Sequence, residues 1–387
     1  MIPRALHKAG VLQALITDVW VSPTVVGHQL YPQRLRERFH PELSDAPVKA
    51  FYVAALSFEA PHSMKRTDGW DLILRRNEWF QTRALRQLSK IARSAPGRQF
   101  SVFSFSYTAR RIFEFARSRG WTTVLGQIDP GPPEEHMIAK AHEDYPYLSG
   151  RWERAPLQYW RDWRDECSLA DQIIVNSTWS RQALITEGVP AAKISTVPLA
   201  YEAPAETAGF TRCYPTRFTP ERPMRVLFLG QISLRKGMAQ VIGALQQLRD
   251  DPVEFCFAGP IQMNIPAEHK NSAQVRWVGT VRRGAVADYY RQADVFLFPT
   301  LSDGFGLTQL EAQVWNLPII ASRFCGEVVR HDINGLLLAS VSAESIAGAI
   351  RLLLADPSRL QSMSTSATTA EYSVDRLRAK LLQLGAA

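Results

Sequence analysis

The stretch from Pro299 to Ser322, PTLSDGFGLTQLEAQVWNLPIIAS, constrains the fold of this chain more than any other. An apolar strand at 293–298 precedes it, and within it a glycine-bearing loop leads to a short helix that begins near Thr308. Leu317-Pro318 then introduces another strand, at 319–321. Strand, loop, helix and strand in this order predict a parallel sheet. The loop then lies at the carboxyl end of a strand, where the next helix directs its unpaired amides into a cleft.

The residues of this loop predict a ligand that combines a phosphate with a polyol. Gly304 and Gly306 leave the backbone bare, so that a phosphate can approach it closely. Two carboxylates, Asp303 and Glu311, bracket the glycines. Acids beside an anion site are useful where they hold a polar, uncharged group, and sugar hydroxyls fit that description.

The length and composition predict two domains in a cytoplasmic protein. With 387 residues and 46% hydrophobic composition, the chain can form two separate cores. It has no run of about twenty apolar residues, and its N-terminus lacks the cationic and then apolar pattern of a secretory signal. The four cysteines form no C-x-x-C pair, which argues against a zinc site or a disulfide framework and predicts that they are reduced and buried: Cys167, Cys213, Cys256 and Cys325.

The net charge of +8 is concentrated in the first third of the chain. Residues 1–130 hold 19 Lys and Arg against 10 Asp and Glu, whereas the remainder holds 26 against 27. The basic residues form three clusters: Arg34, Arg36 and Arg38; Arg83, Arg86, Lys90 and Arg93; Arg110, Arg111, Arg117 and Arg119. They could face the inner surface of an anionic membrane or an anionic acceptor, and the alternative is an ordinary solvated helix face. A nucleic-acid partner is not expected, because the chain lacks aromatic-interleaved basic motifs and zinc-finger spacing.

The order of predicted elements gives the domain organisation. Strands at 100–106 and 122–128 enclose a helix from Tyr107 to Arg119, which is the βαβ rhythm of a parallel sheet. Residues 1–200 are therefore expected to form an N-terminal domain, and the proline-rich residues 201–223 a linker. Residues 224–372 form a second doubly wound domain, and residues 373–387 an amphipathic helix that could pack back on the first.

The N-terminal domain lacks its expected first strand. The opening MIPRALHKAG looks like a helix closed by Gly10, and the first apolar strand follows it at 11–17. A doubly wound domain usually begins with a central strand and a glycine-rich turn. We therefore expect either that residues upstream supply this strand or that the fold has adapted.

Four motifs resemble the retaining nucleotide-sugar glycosyltransferases of family 4. They are GQISLRKG at 230–237, ADVFLFP at 293–299, the acid-x7-acid unit from Asp303 to Glu311 with its internal GFG, and Asn334-Gly335 after Cys325-Gly326. The segment at 170–200 is a weaker match to the last strand, helix and strand of the family's N-terminal domain. The resemblance implies the α/β GT-B fold, in which two doubly wound Rossmann-like domains face each other across a cleft.

The resemblance also implies roles for particular residues. Arg235 and Lys236 look like the cationic pair that neutralises the donor diphosphate. Glu311 is similar to the carboxylate that holds the ribose hydroxyls, and the amides of Phe305, Gly306 and Leu307 would meet the phosphate. Asp303 stands where the family usually has Glu and would contact the transferred sugar, although a loop-capping Asp is the alternative.

Other residues are expected to complete the cleft. The donor base would lie against the loops after Ala258 and Val278, which contain Gly259 and Gly279. Gly230 is also expected to bind the donor. Asp129, which ends a strand of the N-terminal domain, could position the acceptor hydroxyl or stabilise positive charge at the anomeric carbon. The alternative for Asp129 is a turn-forming residue before proline. His136, at the start of the next helix, is expected to be merely exposed.

The residues predict a transfer without a metal or a cofactor, and the resemblance implies that the transfer retains the anomeric configuration. The chain contains no D-x-D pair for a metal that bridges the diphosphate, and no acid is clearly placed as a covalent nucleophile. The donor would be a nucleoside diphosphate sugar, and the acceptor a glycan, a lipid-linked molecule or a small molecule. Two alternatives stay open: a sugar-nucleotide epimerase on the same scaffold, and a non-catalytic module that binds a nucleotide sugar or a surface.

Overall fold

The computed structural model describes residues 1–25, 28–52, 55, 58 and 69–385, without the side chain of Arg34. Within these residues, the strands form three parallel sheets. The sheets contain two, four and six strands, and helices pack against the two larger ones. The chain is thus an α/β protein with two doubly wound units.

The N-terminal unit is built on the four-stranded sheet, in the order β3-β4-β5-β6. A separate pair, β1 and β2, aligns Leu15 with Val48. The strands are β1 (Leu15–Thr17), β2 (Val48–Ala50), β3 (Ser101–Phe105), β4 (Thr122–Gly126), β5 (Gln172–Val175) and β6 (Ile194–Thr196). Among the described residues, this unit contains the α-helices Ile2–Lys8, Gln33–Arg36, Gly69–Ser94, Arg110–Arg117, Pro132–Asp144, Leu157–Leu169 and Thr178–Thr186.

The helix after β3 is shorter than the sequence predicts. It spans Arg110–Arg117 rather than 107–119, because Tyr107 has a left-handed backbone with φ of 74°. The carboxylate of Glu166, on a neighbouring helix, accepts hydrogen bonds from the amides of Tyr107, Ala109 and Arg110. An acid distant in sequence therefore satisfies the free amides at this helix start, which local patterns could not reveal. The helix predicted before Gly10 is confirmed as Ile2–Lys8.

The C-terminal unit is a six-stranded sheet in the order β12-β11-β10-β7-β8-β9. Its strands are β7 (Met224–Leu229), β8 (Val253–Ala258), β9 (Val275–Gly279), β10 (Val295–Phe298), β11 (Ile319–Ala321) and β12 (Gly335–Leu337). Its α-helices are Met238–Gln247, Ala267–Lys270, Val286–Gln292, Leu307–Val314, Ala343–Ala355 and Pro357–Thr365. The strand order reverses between β7 and β10. Crevices at such a switch point bind the ligands of doubly wound sheets.

The chain crosses between the two units twice. The first crossing leaves β6, and the second follows the helix Pro357–Thr365 and leads to the last helix, Val374–Gln383. That helix buries Val374, Leu377 and Leu381 in a cluster with Val124 and Ile174 of the N-terminal sheet. The two crossings run side by side, since the amide of Tyr201 donates to the carbonyl of Tyr372 at 2.7 Å.

Burial of the cysteines is only partly as the sequence predicts. Cys167 and Cys325 are buried, and Cys256 is partly buried. Cys213 is exposed, so the expectation that it is buried was wrong. None of the helices in the described part of the chain combines the length and apolarity that a bilayer crossing requires.

Candidate active site

The switch point brings together the loops that follow β7 and β10. Arg235 and Lys236 lie in a short 3-10 helix, Leu234–Lys236, just before the helix Met238–Gln247. The amide of Leu301 donates to the carbonyl of Arg235 at 2.9 Å, which ties the two loops together. Gly237 adopts φ of 76°, and a Cβ there would lie 2.0 Å from the carbonyl oxygen of Pro299. The close approach of the loops therefore requires glycine at this position.

Two cations and one acid form the centre of the site. The Nζ atom of Lys236 donates to Oδ2 of Asp303, and it lies 5.0 Å from the ring centroid of Phe298. Nη1 of Arg235 lies 3.7 Å from the same Asp303 oxygen. Burial would raise the pKa of Asp303, but Lys236 and Arg235 outweigh this effect and hold the pKa below its usual value. Burial lowers the pKa of Lys236, although Asp303 opposes the change.

The N-terminal domain adds a second carboxylate to this cluster. Glu134 lies in the first turn of the helix Pro132–Asp144, with Oε2 3.9 Å from Nη1 of Arg235. The side chain is 15% exposed, and its Oε2 atom has no hydrogen-bond partner. Burial raises the pKa of Glu134 to about 7, against the opposing charge of Arg235. Arg235 is thus shared by acids from both domains.

Asp129 is held tightly at the carboxyl end of β4. Its Oδ1 atom accepts from the hydroxyl of Tyr107 at 2.5 Å, the amide of Gly131 at 2.9 Å and Nε2 of Gln127 at 3.1 Å. Burial raises the pKa of Asp129 despite these donors. The bond to Gly131 is that of a turn-forming aspartate, which was the alternative interpretation of this residue.

A cavity of about 460 Å³ separates the two domains beside these charges. The predicted residues that line it are Asp129, Arg235, Asp303 and Gly304. The other lining residues include Glu134, His142, Trp152, Gln231, Ser233 and Gln262. The rings of His142 and Trp152 stack with their centroids 4.8 Å apart. Carboxylates and flat aromatic faces give this cavity the chemistry of a site for hydroxyl-bearing ligands.

The three glycines expected to bind the donor lie at the carboxyl ends of adjacent strands. Gly230 follows β7, Gly259 follows β8, and Gly279 ends β9. The amide of Gly230 donates to the carbonyl of Ala258 at 2.9 Å, and the amide of Gly259 donates to the carbonyl of Gly279 at 2.8 Å. A Cβ on Gly259 would lie 1.8 Å from the carbonyl oxygen of Gly230. At these three positions the backbone at the edge of the sheet is not covered by a side chain, but the glycines do not line the interdomain cavity.

The loop after β10 places its residues in different environments. Gly304 is pressed against the N-terminal domain, since a Cβ there would lie 2.2 Å from the carbonyl oxygen of Ile128. The ring of Phe305 is buried, and its amide donates to Oδ1 of Asp303 at 3.2 Å. Gly306 adopts φ of 82° just before the helix Leu307–Val314, and Leu307 is 42% exposed.

Glu311 lies further along that helix and does not reach the cavity. Its Oε2 atom accepts from the hydroxyl of Tyr290 at 2.8 Å. The structure therefore brings Asp129, Arg235, Lys236 and Asp303 together, while Glu311 occupies a separate position behind the loop. His136 is exposed and does not line the cavity, as expected.

Glu134 is the main residue that the sequence did not single out. It follows a proline-rich loop at the end of β4 and begins a helix, which marks a place for functional side chains. This signal applies equally to Glu135, whose carboxylate instead accepts from the amide of Ala155 and from Nε1 of Trp160. The choice between the two acids depends on helix orientation and on contact with the other domain.

Two doubly wound domains that face each other across a cleft are the arrangement of the GT-B fold. Anabaena HepE in complex with UDP aligns with a TM-score of 0.60 and 15% identity, over 96% of this chain and 99% of that chain. Sucrose-phosphate synthase from Thermosynechococcus elongatus aligns with a TM-score of 0.65 and 17% identity, over 99% and 90% of the chains. These similarities confirm the predicted GT-B fold.

Residues 216–370 match the family model described as Glycosyl transferases group 1. This match covers less than half of the chain, and it agrees with the resemblance seen in the sequence. The D-inositol 3-phosphate glycosyltransferase of Kribbella flavida is 28% identical over 221 residues, 51% of this chain and 51% of that protein. The enzyme of the same name from Kineococcus radiotolerans is 30% identical over 229 residues, 51% and 52% of the two chains. The chain thus spans about half the length of these curated relatives.

Proposed function

We propose that the chain is a glycosyltransferase that moves a sugar from a nucleoside diphosphate sugar to an acceptor hydroxyl. The observation that carries this proposal is the cluster at the switch point. The C-terminal domain contributes Arg235, Lys236 and Asp303 to this cluster. The N-terminal domain contributes Glu134 and Asp129, on the other side of a cavity of about 460 Å³. Cations suit the diphosphate of a donor, and carboxylates suit hydroxyl groups.

The donor diphosphate would exchange partners with Asp303. Lys236 now donates to Asp303, and the Phe305 amide donates to the same carboxylate. A diphosphate placed between Arg235 and Lys236 would take over these donors, which would free Asp303 for the hydroxyls of the sugar. The two cations and the loop amides would then offset the charge of the leaving group, so we propose transfer without a metal ion.

We propose that the transfer retains the configuration at the anomeric carbon. The acceptor oxygen would bond to the anomeric carbon on the face from which the diphosphate oxygen departs. The departing phosphate oxygen would accept the proton of the acceptor hydroxyl, and the sugar would pass through an oxocarbenium-like state. Glu311 would hold the ribose, and the base would lie along Gly259 and Gly279.

The comparisons suggest which ligands to test first. HepE is crystallised with UDP and UDP-glucose, and starch synthase IV of Arabidopsis thaliana with ADP and acarbose. UDP and ADP are therefore the first nucleotides to test as parts of the donor, and GDP is tested with them. The curated relatives are named for D-inositol 3-phosphate, so polyol phosphates belong in the acceptor panel.

The first experiment is thermal unfolding of the protein with UDP, GDP, ADP and their sugar conjugates. A ligand that binds only the folded protein at 100 times its Kd adds about 2.7 kcal/mol to the free energy of unfolding. We expect one nucleotide to raise the unfolding midpoint, with the effect lost in Lys236→Ala and Glu311→Ala. Lys270→Ala, on the exposed helix Ala267–Lys270, is the control that keeps it.

Turnover then tests the reaction itself. Sugar transfer with an inverted linkage would overturn the retaining mechanism, and loss of turnover with a chelator would overturn metal independence. Epimerisation of the free nucleotide sugar would assign the protein to the epimerases. Nucleotide binding without turnover across glycan, lipid-linked and small-molecule acceptors would identify a non-catalytic module.

A further inference from the structure

A cavity of about 940 Å³ lies between β1 and β3 in the N-terminal domain. We call it the slot and define its two sides by Leu15–Thr17 and Ser101–Phe105, which both line it. Its walls combine apolar side chains, such as Phe80, Leu88 and Trp121, with polar ones, such as Arg38 and Arg76. The cavity is open to solvent, so its apolar side chains stay in contact with water, and a segment that covered them would stabilise the domain.

Both sides of the slot are unpaired strand edges. The Thr122 amide donates to the carbonyl of Phe100, and the Ser106 amide donates to the carbonyl of Gly126. Since peptide groups alternate between the two edges of a strand, those of Ser101 and Phe103 point away from β4 and toward the slot. In the same way, the amide of Leu15 donates to the carbonyl of Pro47, so the peptide group of Ile16 faces the slot. Within the described residues, no strand pairs with either edge.

One extended segment would satisfy both edges. Neighbouring strands lie about 4.8 Å apart, so a strand seated in the slot would join β1 to β3. The two-stranded and four-stranded sheets would then become one sheet, with the new strand in its middle. A strand buried on both faces is a continuous apolar run, and it would cover the apolar side chains of the slot.

We infer that the slot is the seat of an additional parallel strand, contributed by an apolar segment of the same polypeptide that leads directly into the helix Ile2–Lys8. This helix borders the slot through Ile2, Pro3 and Leu6. It also packs Ala5 against the N-terminal sheet. The helix is followed by β1, which forms one side of the slot. A strand, this helix and β1 therefore make a βαβ unit, in which the two strands are neighbours and parallel.

The inserted strand would also extend the interdomain cleft. Arg4, in the first turn of the helix Ile2–Lys8, donates to Glu202, which follows the carboxyl end of β6. The helix therefore starts at the edge of the sheet where the parallel strands end. The loop between the new strand and Ile2 would lie at this edge, on the side of the cleft that holds Asp129.

The test is hydrogen exchange, followed by mass spectrometry, on three proteins. The first is Met1–Ala387, the second carries the in-frame residues that the gene encodes before Met1, and the third carries the same number of Gly and Ser residues instead. We expect exchange in peptides covering 15–17 and 101–105 to slow about tenfold or more in the second protein alone. The edge strands β9 and β12 of the C-terminal domain are the internal control and should not change.

A proline variant tests the seat of the strand without disturbing the fold of Met1–Ala387. Ile16→Pro removes an amide that faces the slot, and edge positions tolerate proline. We expect it to leave the unfolding midpoint of Met1–Ala387 nearly unchanged and to lower that of the naturally extended protein. Equal exchange at 101–105 in the natural and Gly/Ser extensions would overturn the inference. Protection that appears in Met1–Ala387 only as a dimer forms would also overturn it and would assign the slot to a second copy.

Discussion

At the scale of single residues, the candidate site is a chain of alternating charges that runs from one domain to the other. Lys236 contacts Asp303, Arg235 lies beside Asp303, and Glu134 lies beside Arg235. Asp303 is the member on which both cations converge. Such a cluster is stable without ligand and can exchange partners when an anion arrives.

The buried pair of Lys236 and Asp303 should be strongly coupled in stability. Removing one partner leaves the other charge buried, so Lys236→Met and Asp303→Asn should each lower the free energy of unfolding by about 1–3 kcal/mol. The double variant should lose less than the sum of the two, because neither charge is then stranded. Denaturant unfolding of the four proteins measures this coupling, and strict additivity would contradict it.

Glu134 should make stability depend on pH. Burial raises its pKa from 4.5 to about 7, so the folded protein binds the extra proton in this range. The free energy of unfolding should therefore fall as the pH rises through this window, by roughly 3 kcal/mol at most. Burial also raises the pKa of Glu166 to about 7, which gives a second contribution in the same range.

The variant Glu134→Gln measures how much of the pH dependence of stability is due to Glu134. The difference in free energy of unfolding between pH 5 and pH 8 should shrink in this variant, while the share of Glu166 remains. The control is Glu143→Gln on the same helix, whose side chain is 70% exposed. An unchanged pH dependence in Glu134→Gln would contradict the assignment.

At the scale of elements, the sequence predicts the switch-point loops well and the N-terminal acids poorly. The strand and helix around Asp303 follow from apolar runs and glycines that are local in sequence. Arg235 and Lys236 were assigned through the resemblance of the local motif GQISLRKG to the family. The position of Glu134 in the site depends on its contact with Arg235, and the helix start at Arg110 depends on Glu166. Both contacts join segments that are distant in sequence, so local patterns could not predict them.

Gly304 should determine how closely the two domains approach. A Cβ at this position would lie 2.2 Å from the backbone oxygen of Ile128, so Gly304→Ala must separate the two loops. We expect turnover to fall at least about tenfold, since small displacements of the reacting groups have large effects on rate. Gly284→Ala is the matched control, because a Cβ there meets nothing within 4 Å. Equal turnover in the two variants would show that the close approach is not needed.

At the scale of the whole molecule, the domains are held together by contacts on both sides of the cavity. The indole of Trp179 donates to Oγ of Ser302 at 3.0 Å, and the amide of Thr178 donates to Glu327 at 2.8 Å. At another point, the amide of Asn264 donates to the carbonyl of Leu148 at 2.9 Å. The sequence predicts two domains and a cleft, but it could not predict which loops meet, because that depends on the docking of complete domains.

The basic excess of the N-terminal domain is only partly neutralised. Arg110 and Arg117 pair with Asp162 and Asp171. Within the described part of the chain, no acidic partner faces the cluster on the helix Gly69–Ser94, which consists of Arg83, Arg86, Lys90 and Arg93. We propose that this helix contacts anionic membrane lipid.

Vesicle co-sedimentation tests the membrane contact. Binding to vesicles with anionic lipid should exceed binding to neutral vesicles, and it should weaken in the double variant Arg86→Glu and Lys90→Glu. Each reversed charge near the surface costs about 1 kcal/mol or more. The double variant Arg249→Glu and Lys270→Glu makes the same change of net charge on the C-terminal domain and should bind normally. Binding that does not depend on anionic lipid would contradict the proposal and would indicate that the basic cluster is an ordinary solvated helix face.

The paired crossings at Tyr201 and Tyr372 restrict how the cleft can open. Two covalent connections that are hydrogen-bonded to each other keep the domains together at this point, so we expect the cleft to open by rotation about it rather than by sliding. In such a rotation, the rim of the cleft that is farthest from Tyr201 and Tyr372 separates most. Substrates would therefore enter and leave from that rim, and the contact between Arg235 and Glu134, which joins the two domains, would form as the cleft closes.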